Sequence, residues 1–190
     1  NFLSNAQQPV LPSNLPAGVH SLQLFVATEY GCSATPLTKT FTIRPTPVVD
    51  FAAVNGCVND VIQFNGQQTD NQTSIVQWNW NFGDGNSSPL QNPQHSYAAA
   101  NNYTVQLYAV ASNGCRSLDV QHLITIGAVP QVVFTVNDTC SGNSPTIVNQ
   151  STISSGSITQ WNWTLNNQPF STVQDPVLPA NLPAGSYVLA

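Results

Sequence analysis

The sequence predicts an all-β chain of tandem antiparallel sandwiches, about 83 residues per unit. Three observations carry this expectation. Large apolar residues alternate with polar ones in short runs, as at Trp78-Asn79-Trp80-Asn81-Phe82 and Tyr103-Thr104-Val105-Gln106-Leu107, which is the period of a half-buried strand. No window sustains a 3.6-residue period, and Val, Thr, Ile and aromatic residues favour strands over surface helices. The chain also repeats itself: Gly31-Cys32 recurs as Gly114-Cys115, Cys57 as Cys140, Trp78 and Trp80 as Trp161 and Trp163, and Pro93 as Pro176, all at an offset of 83.

A longer repeat overlies the first. Pro9-Val10-Leu11-Pro12 returns as Pro176-Val177-Leu178-Pro179, and Asn14-Leu15-Pro16-Ala17-Gly18 as Asn181-Leu182-Pro183-Ala184-Gly185; 12 of the 23 residues in 1–23 are identical in 168–190. The repeats divide the 190 residues into the C-terminal part of one unit (1–45), a complete unit (46–128) and the N-terminal part of a divergent unit (129–190). With no initiator Met, the chain reads as a segment of a longer one. The pieces are joined by Arg44-Pro45-Thr46-Pro47 and Gly127-Ala128-Val129-Pro130, which proline makes stiff and extended.

Within the central unit the strands follow in order. Val48–Val54 is a first strand stopped by Asn55-Gly56, and Val61–Asn65 a second. Ile75–Phe82 is the third, with Val76, Trp78, Trp80 and Phe82 on one face and Gln77, Asn79 and Asn81 on the other. Gly83 and Gly85 bracket Asp84 where the chain reverses, and Asp84–Asn92 is turn and loop. His95–Tyr97 is a short edge strand. Tyr103–Ala111 turns at Ser112-Asn113-Gly114 into Arg116–Ile126.

Composition excludes several function classes. Only 6% of residues are charged and the formal charge is −5, with Lys39, Arg44 and Arg116 scattered. A basic patch for nucleic acid or an anionic membrane is therefore absent. No apolar run approaches the ~18 residues of a membrane span.

Trp80-Asn81-Phe82-Gly83-Asp84-Gly85, then Asn92-Pro93-Gln94-His95-Ser96-Tyr97, then Tyr103-Thr104-Val105-Gln106-Leu107, resembles the PKD (polycystic-kidney-disease) domain in order and spacing across the whole central unit. The added Cys57 and Gly114-Cys115 resemble PKD-like repeats of large cell-surface proteins that gliding bacteria export by the type IX route. The resemblance implies immunoglobulin-like sandwiches with an extracellular, adhesive or spacer role. The third unit departs from the motif: Trp163-Thr164-Leu165-Asn166-Asn167 stands in place of the Gly-Asp-Gly turn, so no role of Asp84 carries over to it. The central unit has Asn101-Asn102 where the family favours Gly; the outer units keep Gly18 and Gly185.

Cys32, Cys57, Cys115 and Cys140 recur as one early and one late cysteine per unit, with no CxxC metal spacing. In a surface protein disulfides are the default. The simple pairing is Cys57–Cys115, leaving Cys32 and Cys140 to partners outside the chain. In an immunoglobulin-like sandwich, however, those two turns lie at opposite poles, and an alternative staples the early cysteine of one unit to the late cysteine of the next. Free thiols are the third alternative.

Other candidates are weighed against plain structural roles. Asp84 is read as a turn carboxylate rather than a calcium ligand, because calcium needs six to eight oxygens and only Asp60 and Asp70 could assist. His95 is read as structural, with no motif supplying it a nucleophile or carboxylate, as are His20 and His122. Trp78, Trp80, Trp161 and Trp163 are read as core rather than as a sugar-stacking platform. Asn71-Gln72-Thr73, Asn86-Ser87-Ser88 and Asn102-Tyr103-Thr104 fit the glycosylation sequon, as chance would produce in so Asn- and Thr-rich a chain. No cofactor is implied.

The expected function is a structural or adhesive repeat segment, a stalk or filament of a secreted bacterial surface protein. Its partners would be neighbouring units or identical chains, with surface glycans or proteins further candidates and no membrane insertion. The alternative is an accessory PKD binding module of a secreted polysaccharide- or protein-degrading enzyme. Nothing assembles an enzyme site.

Overall fold

The computed structural model describes residues 4–140, 142–179 and 182–190; Asn181 of the repeated Asn-Leu-Pro-Ala-Gly run lies outside them. Every described element is a strand. The first segment contributes a hairpin, β1 (Gly18–Leu24) and β2 (Leu37–Ile43). The central segment supplies β3 (Val49–Ala52), β4 (Gly56–Cys57), β5 (Ile62–Gln63), β6 (Asn65–Gln68), β7 (Ile75–Asn81), β8 (Ser87–Ser88), β9 (Gln94–His95), β10 (Asn101–Ala111) and β11 (Val120–Gly127). The last segment supplies β12 (Phe134–Val136), β13 (Ile147–Asn149), β14 (Trp163–Leu165) and β15 (Gln168–Ser171).

The central segment is a two-layer sandwich. One sheet has the order β4-β11-β10-β7-β8; the facing layer pairs β6 with β3 and β5 with β9. Period-2 alternation places Val105, Leu107, Ala109 and Ala111 of β10 on the inner face, each at most 1% exposed. Trp78, Trp80 and Phe82 join them, and Val49, Phe51, Ile62 and Phe64 come from the opposite layer. The layers meet through aromatic contacts: Phe51 lies edge-on to Trp80 at 5.0 Å and Phe64 to Trp80 at 5.6 Å.

Two details correct the sequence reading. Val76 does not share the tryptophan face. The β7–β10 register pairs Val110 with Gln77 and then Ala111 with Ile75. Val76 is thus the extra residue of a bulge, 66% exposed, while Ile75 packs on the core. The strand expected from Arg116 begins at Val120; Arg116 makes only an isolated bridge to Val110, because Ser117 turns inward. The Ser117 hydroxyl accepts the Ala109 N–H at 3.0 Å and donates to the Leu118 carbonyl at 2.9 Å, occupying the ladder position.

The repeats have a structural counterpart. Phe134 meets Trp163 at 5.1 Å and 73°, as Phe51 meets Trp80 at 5.0 Å and 70°. The β1–β2 register, Gly18↔Ile43 through Leu24↔Leu37, is that of β10–β11, Asn101↔Ile126 through Leu107↔Val120, moved by 83 residues.

Candidate functional site

The motif that dominates the sequence folds into the corner between β7 and β9. Gly83 and Gly85 have φ of 81° and 93°, a region that L side chains avoid. Gly83 also lies where a Cβ would come within 2.7 Å of the Thr104 carbonyl oxygen, so only glycine lets the turn pass over β10. Held between them, Asp84 turns its carboxylate back on the loop. Oδ1 accepts the Asn86 N–H at 3.0 Å, and Oδ2 accepts the Asn86 side-chain amide at 2.9 Å.

Oδ2 also meets His95 Nε2 at 2.7 Å. The sequence reading found no partner for His95. Asp84 is eleven residues away along the chain, and only the β5–β9 pairing carries the imidazole beneath the turn. The ring stacks on Phe82 at 4.2 Å and meets Tyr97 edge-on at 4.6 Å. Partial burial pushes the Asp84 carboxyl up, but the Asn86 and His95 hydrogen bonds outweigh it and its pKa falls below the ordinary value. Burial, with Asp84 and Tyr103 adding to it, drives the Tyr97 phenol well above its ordinary range, so it stays a donor. It donates to the Phe82 carbonyl at 3.0 Å. The cluster is a knot of satisfied bonds that joins both sheets, with no nucleophile among its recorded partners.

The remaining carboxylates do similar local work. Asp60 accepts the Cys57 N–H at 2.8 Å. Asp70 accepts the Val48 and Gln72 N–H groups, and these bonds hold its pKa low. Asp60, Asp70 and Asp84 therefore serve three separate turns, and among the described residues no three His, Cys, Asp or Glu side chains gather around a common point. His122 bonds Asp50 at 2.9 Å and lies 4.4 Å from the Phe51 ring. Asn92 Oδ1 accepts the Gly66 N–H at 3.1 Å, and Pro93 is fully buried.

Trp80, Trp78 and Trp163 are all core, which removes Trp78 as a sugar platform; Trp161 is half-buried. A further bond has no signal in local residue patterns: the Trp80 indole donates to the Leu90 carbonyl at 2.7 Å, and the Trp163 indole to the Val173 carbonyl at 2.9 Å, ten residues on in both units. A second repeated bond closes the corner before the penultimate strand. Tyr103 donates to the Ala99 carbonyl at 3.0 Å and Tyr187 to Pro183 at 2.8 Å, while His20 Nε2 lies 2.8 Å from the Pro16 carbonyl. An aromatic polar group four residues after a carbonyl, in each unit, was the available signal. Such corners pin the crossing loop of immunoglobulin-like sandwiches. In the third unit the missing Gly-Asp-Gly is replaced by Asn166 and Asn167 at φ of 50° and 63°, the two-residue hairpin turn that asparagine tolerates.

The expected Cys57–Cys115 pairing does not form. Cys57 pairs with Gly127 at one end of β11, while Cys115 lies beyond the start of that strand, its N–H and carbonyl tied into the turn after Ala111. Eight residues of β11 separate the ends by roughly 24 Å, and a disulfide needs Cα atoms within about 7 Å. All four cysteines are free. At the Cys115 pole the hairpin grips the linker: Arg44 donates to the Asn113 carbonyl at 2.7 Å, and the Asn113 amide to the Pro45 carbonyl at 2.9 Å.

Sandwich, pinned corner and glycine turn together define the class of the central segment as an immunoglobulin-like β-sandwich. Residues 44–126 match the family model described as the PKD domain. Over 78 residues the chain is 37% identical to the collagenase ColA of Bacillus cereus, a stretch covering 40% of this chain and 8% of the collagenase. Among solved structures, the PKD1 domain of Vibrio anguillarum Epp aligns at 22% identity over 44% of this chain and 99% of its own, with a TM-score of 0.39. The fibronectin(III)-like modules of Clostridium thermocellum CbhA align at 14% identity over 68% of this chain and 76% of theirs, with a TM-score of 0.40.

Proposed function

We propose that this chain is a non-catalytic structural repeat segment of a secreted bacterial surface protein, built from one complete PKD-type unit at 46–128 and parts of two others at 1–45 and 129–190. The observation that carries the reading is the copied architecture. Strand register, the Trp–carbonyl bond and the aromatic corner recur where the sequence repeats. Selection on a single ligand site would not require each unit to keep its internal ties.

The mechanism is mechanical. Near the N-terminal side of the central unit, β4 runs parallel to the last strand, β11, pairing Gly56 with Ile126 and Cys57 with Gly127. The patch is extended by Val58 N–H to the Gly127 carbonyl at 3.0 Å and Thr125 N–H to Asn55 Oδ1 at 2.8 Å. Tension applied through the two linkers loads these bonds in shear, so they break together rather than one by one. The Arg44–Asn113 clamp passes the load from the linker to the hairpin. The resemblance to surface proteins of gliding bacteria supports the extracellular and adhesive setting.

A second reading is favoured by the collagenase similarity: a PKD module accessory to a secreted degradative enzyme. Force spectroscopy and sedimentation separate the two. As a structural segment, the central unit unfolds in a single step that lengthens the chain by roughly 240 Å, taking about 3.4 Å per residue less the roughly 40 Å that the folded unit already spans. The 190-residue chain then stays in solution beside insoluble collagen and polysaccharides. Unfolding at negligible force together with co-sedimentation would overturn the structural reading in favour of the accessory module.

A further inference from the structure

The two faces of β7 and β10 differ in chemistry. The inner face carries the tryptophan core. On the outer face the strand register sets Asn79 beside Tyr108 and Asn81 beside Gln106. These residues line a groove of about 380 Å³, within the roughly 300–1,000 Å³ of small-molecule sites. Strand β8 and Pro89 border it on the β7 side. Arg116 and Asp119, from the segment between β10 and β11, border it on the other.

One group in this groove is left unsatisfied by the fold. Asn79 Oδ1 accepts the Gln77 amide at 3.1 Å, but among the described residues Asn79 Nδ2 is shut away from water with no acceptor. Turning both amides round leaves the Asn79 carbonyl unpaired instead. Leaving a buried amide atom unpaired is costly. A ligand hydroxyl, which both donates and accepts, completes Asn79 in either orientation.

Arg116 is already positioned. Its guanidinium lies 3.7 Å from the Tyr108 ring centre and pairs with Asp119 at 2.5 Å. The pair cancels its own charge, and the other lining residues carry none. Further N–H groups of Arg116 and the second oxygen of Asp119 remain for a ligand. Amides, hydroxyls and a neutralised ion pair thus offer donors and acceptors together. An anion would leave the acceptors unpaired, and an apolar ligand would leave both unpaired. Neighbouring hydroxyls on a sugar ring answer both.

The groove follows the repeat only in part. Asn79 recurs as Asn162 and Gln106 as Gln23, but Tyr108, Arg116 and Asp119 stand where the first segment has Phe25, Ser33 and Pro36. The Trp–carbonyl bond, by contrast, is copied. The Arg116–Asp119 border is therefore no requirement of the sandwich itself.

We propose that this groove binds a neutral saccharide of one or two residues, its hydroxyls held by Asn79, Gln106 and the Arg116–Asp119 pair. The idea rests on the extracellular setting of the structural reading and gives that segment an adhesive contact. It uses no tryptophan platform, since Trp78 and Trp80 are buried on the opposite face. Binding through so few bonds is weak. A single chain then stays in solution beside insoluble polysaccharides and binds soluble disaccharides at millimolar concentration.

The test titrates the ¹⁵N-labelled 190-residue chain with maltose, cellobiose, lactose and N,N′-diacetylchitobiose, with digalacturonate as anionic control, followed by ¹H–¹⁵N NMR. A neutral disaccharide should give saturable shifts centred on the side-chain amides of Asn79, Asn81 and Gln106, and digalacturonate none. Asn79→Ala should weaken binding by about tenfold. It should also leave the denaturation midpoint unchanged or raised, because it removes the unpaired group; an Asn79 needed only for the fold would lower it. Arg116→Ala should weaken binding while the core resonances stay in place. No saturable shift with any neutral disaccharide, shifts centred elsewhere, a preference for digalacturonate, or undiminished binding by Asn79→Ala would overturn the proposal. So would the same shifts on raising protein concentration alone, which would put a second copy on this face. If the titration fails while single-step force unfolding persists, the groove reading is wrong and the structural reading stands. If the titration succeeds while the unit unfolds at negligible force, the structural reading falls and the site stands.

Discussion

The indole N–H of Trp80 donates to the carbonyl of Leu90 across 2.7 Å, with the ring 2% exposed. The bond ties β7 of one sheet to the loop that leads into the other. Trp80→Phe keeps most of the apolar contact but strands the carbonyl, at a cost of about 1–3 kcal/mol. Trp80→Ala adds a cavity and should cost about 3–5 kcal/mol. Urea denaturation of both variants, read by circular dichroism, checks the order.

Gly83 and Gly85 share a positive φ but not a neighbourhood. Around Gly85 a Cβ meets nothing within 4 Å, whereas at Gly83 it meets the Thr104 carbonyl oxygen at 2.7 Å. Gly85→Ala should therefore cost only left-handed strain, about 1–2 kcal/mol. Gly83→Ala must also displace backbone and should cost clearly more. Equal thermal shifts for the two variants would contradict this.

Acid should loosen the corner through Asp84. Its folded pKa is depressed, so the stability it supplies is complete above the unfolded value, near 3.8, and is lost as pH falls through the folded one. Asp70, depressed by its backbone bonds, acts in the same window. Chemical denaturation should give midpoints that change little between pH 7 and 5 on account of these groups and fall below about pH 4. Asp84→Asn should flatten that fall.

Arg44 and Asn113 hold the linker from outside the core. Arg44→Ala should leave the denaturation midpoint of the central unit within about 0.5 kcal/mol of the parent, as for other surface changes. It should loosen the linker instead, and ¹⁵N relaxation at Thr46 and Ser112 would register the added motion.

Much of the core was legible because strand period is written into side-chain type. Trp78, Trp80 and Trp163 were read as core and are buried, as are Phe82, Val105 and Leu107, which were placed on single strand faces; Trp161, also read as core, is half-buried. Val76 misled the same reasoning, since periodicity assumes an unbroken ladder and a bulge inserts one residue. The Asp84–His95 contact was invisible for another reason: the two residues share no local pattern, and only strand pairing between layers brings them together.

Periodicity, turn chemistry and repetition are properties of neighbouring residues, so the sequence alone determined the β class, the repeat length and the tryptophan core. Which cysteines can meet and which histidine finds a carboxylate depend on distances between residues far apart in the chain. Those distances are set by the sheet pairings, and only the tertiary structure decided them: it carried Cys57 and Cys115 to opposite ends of β11 and brought His95 beneath Asp84.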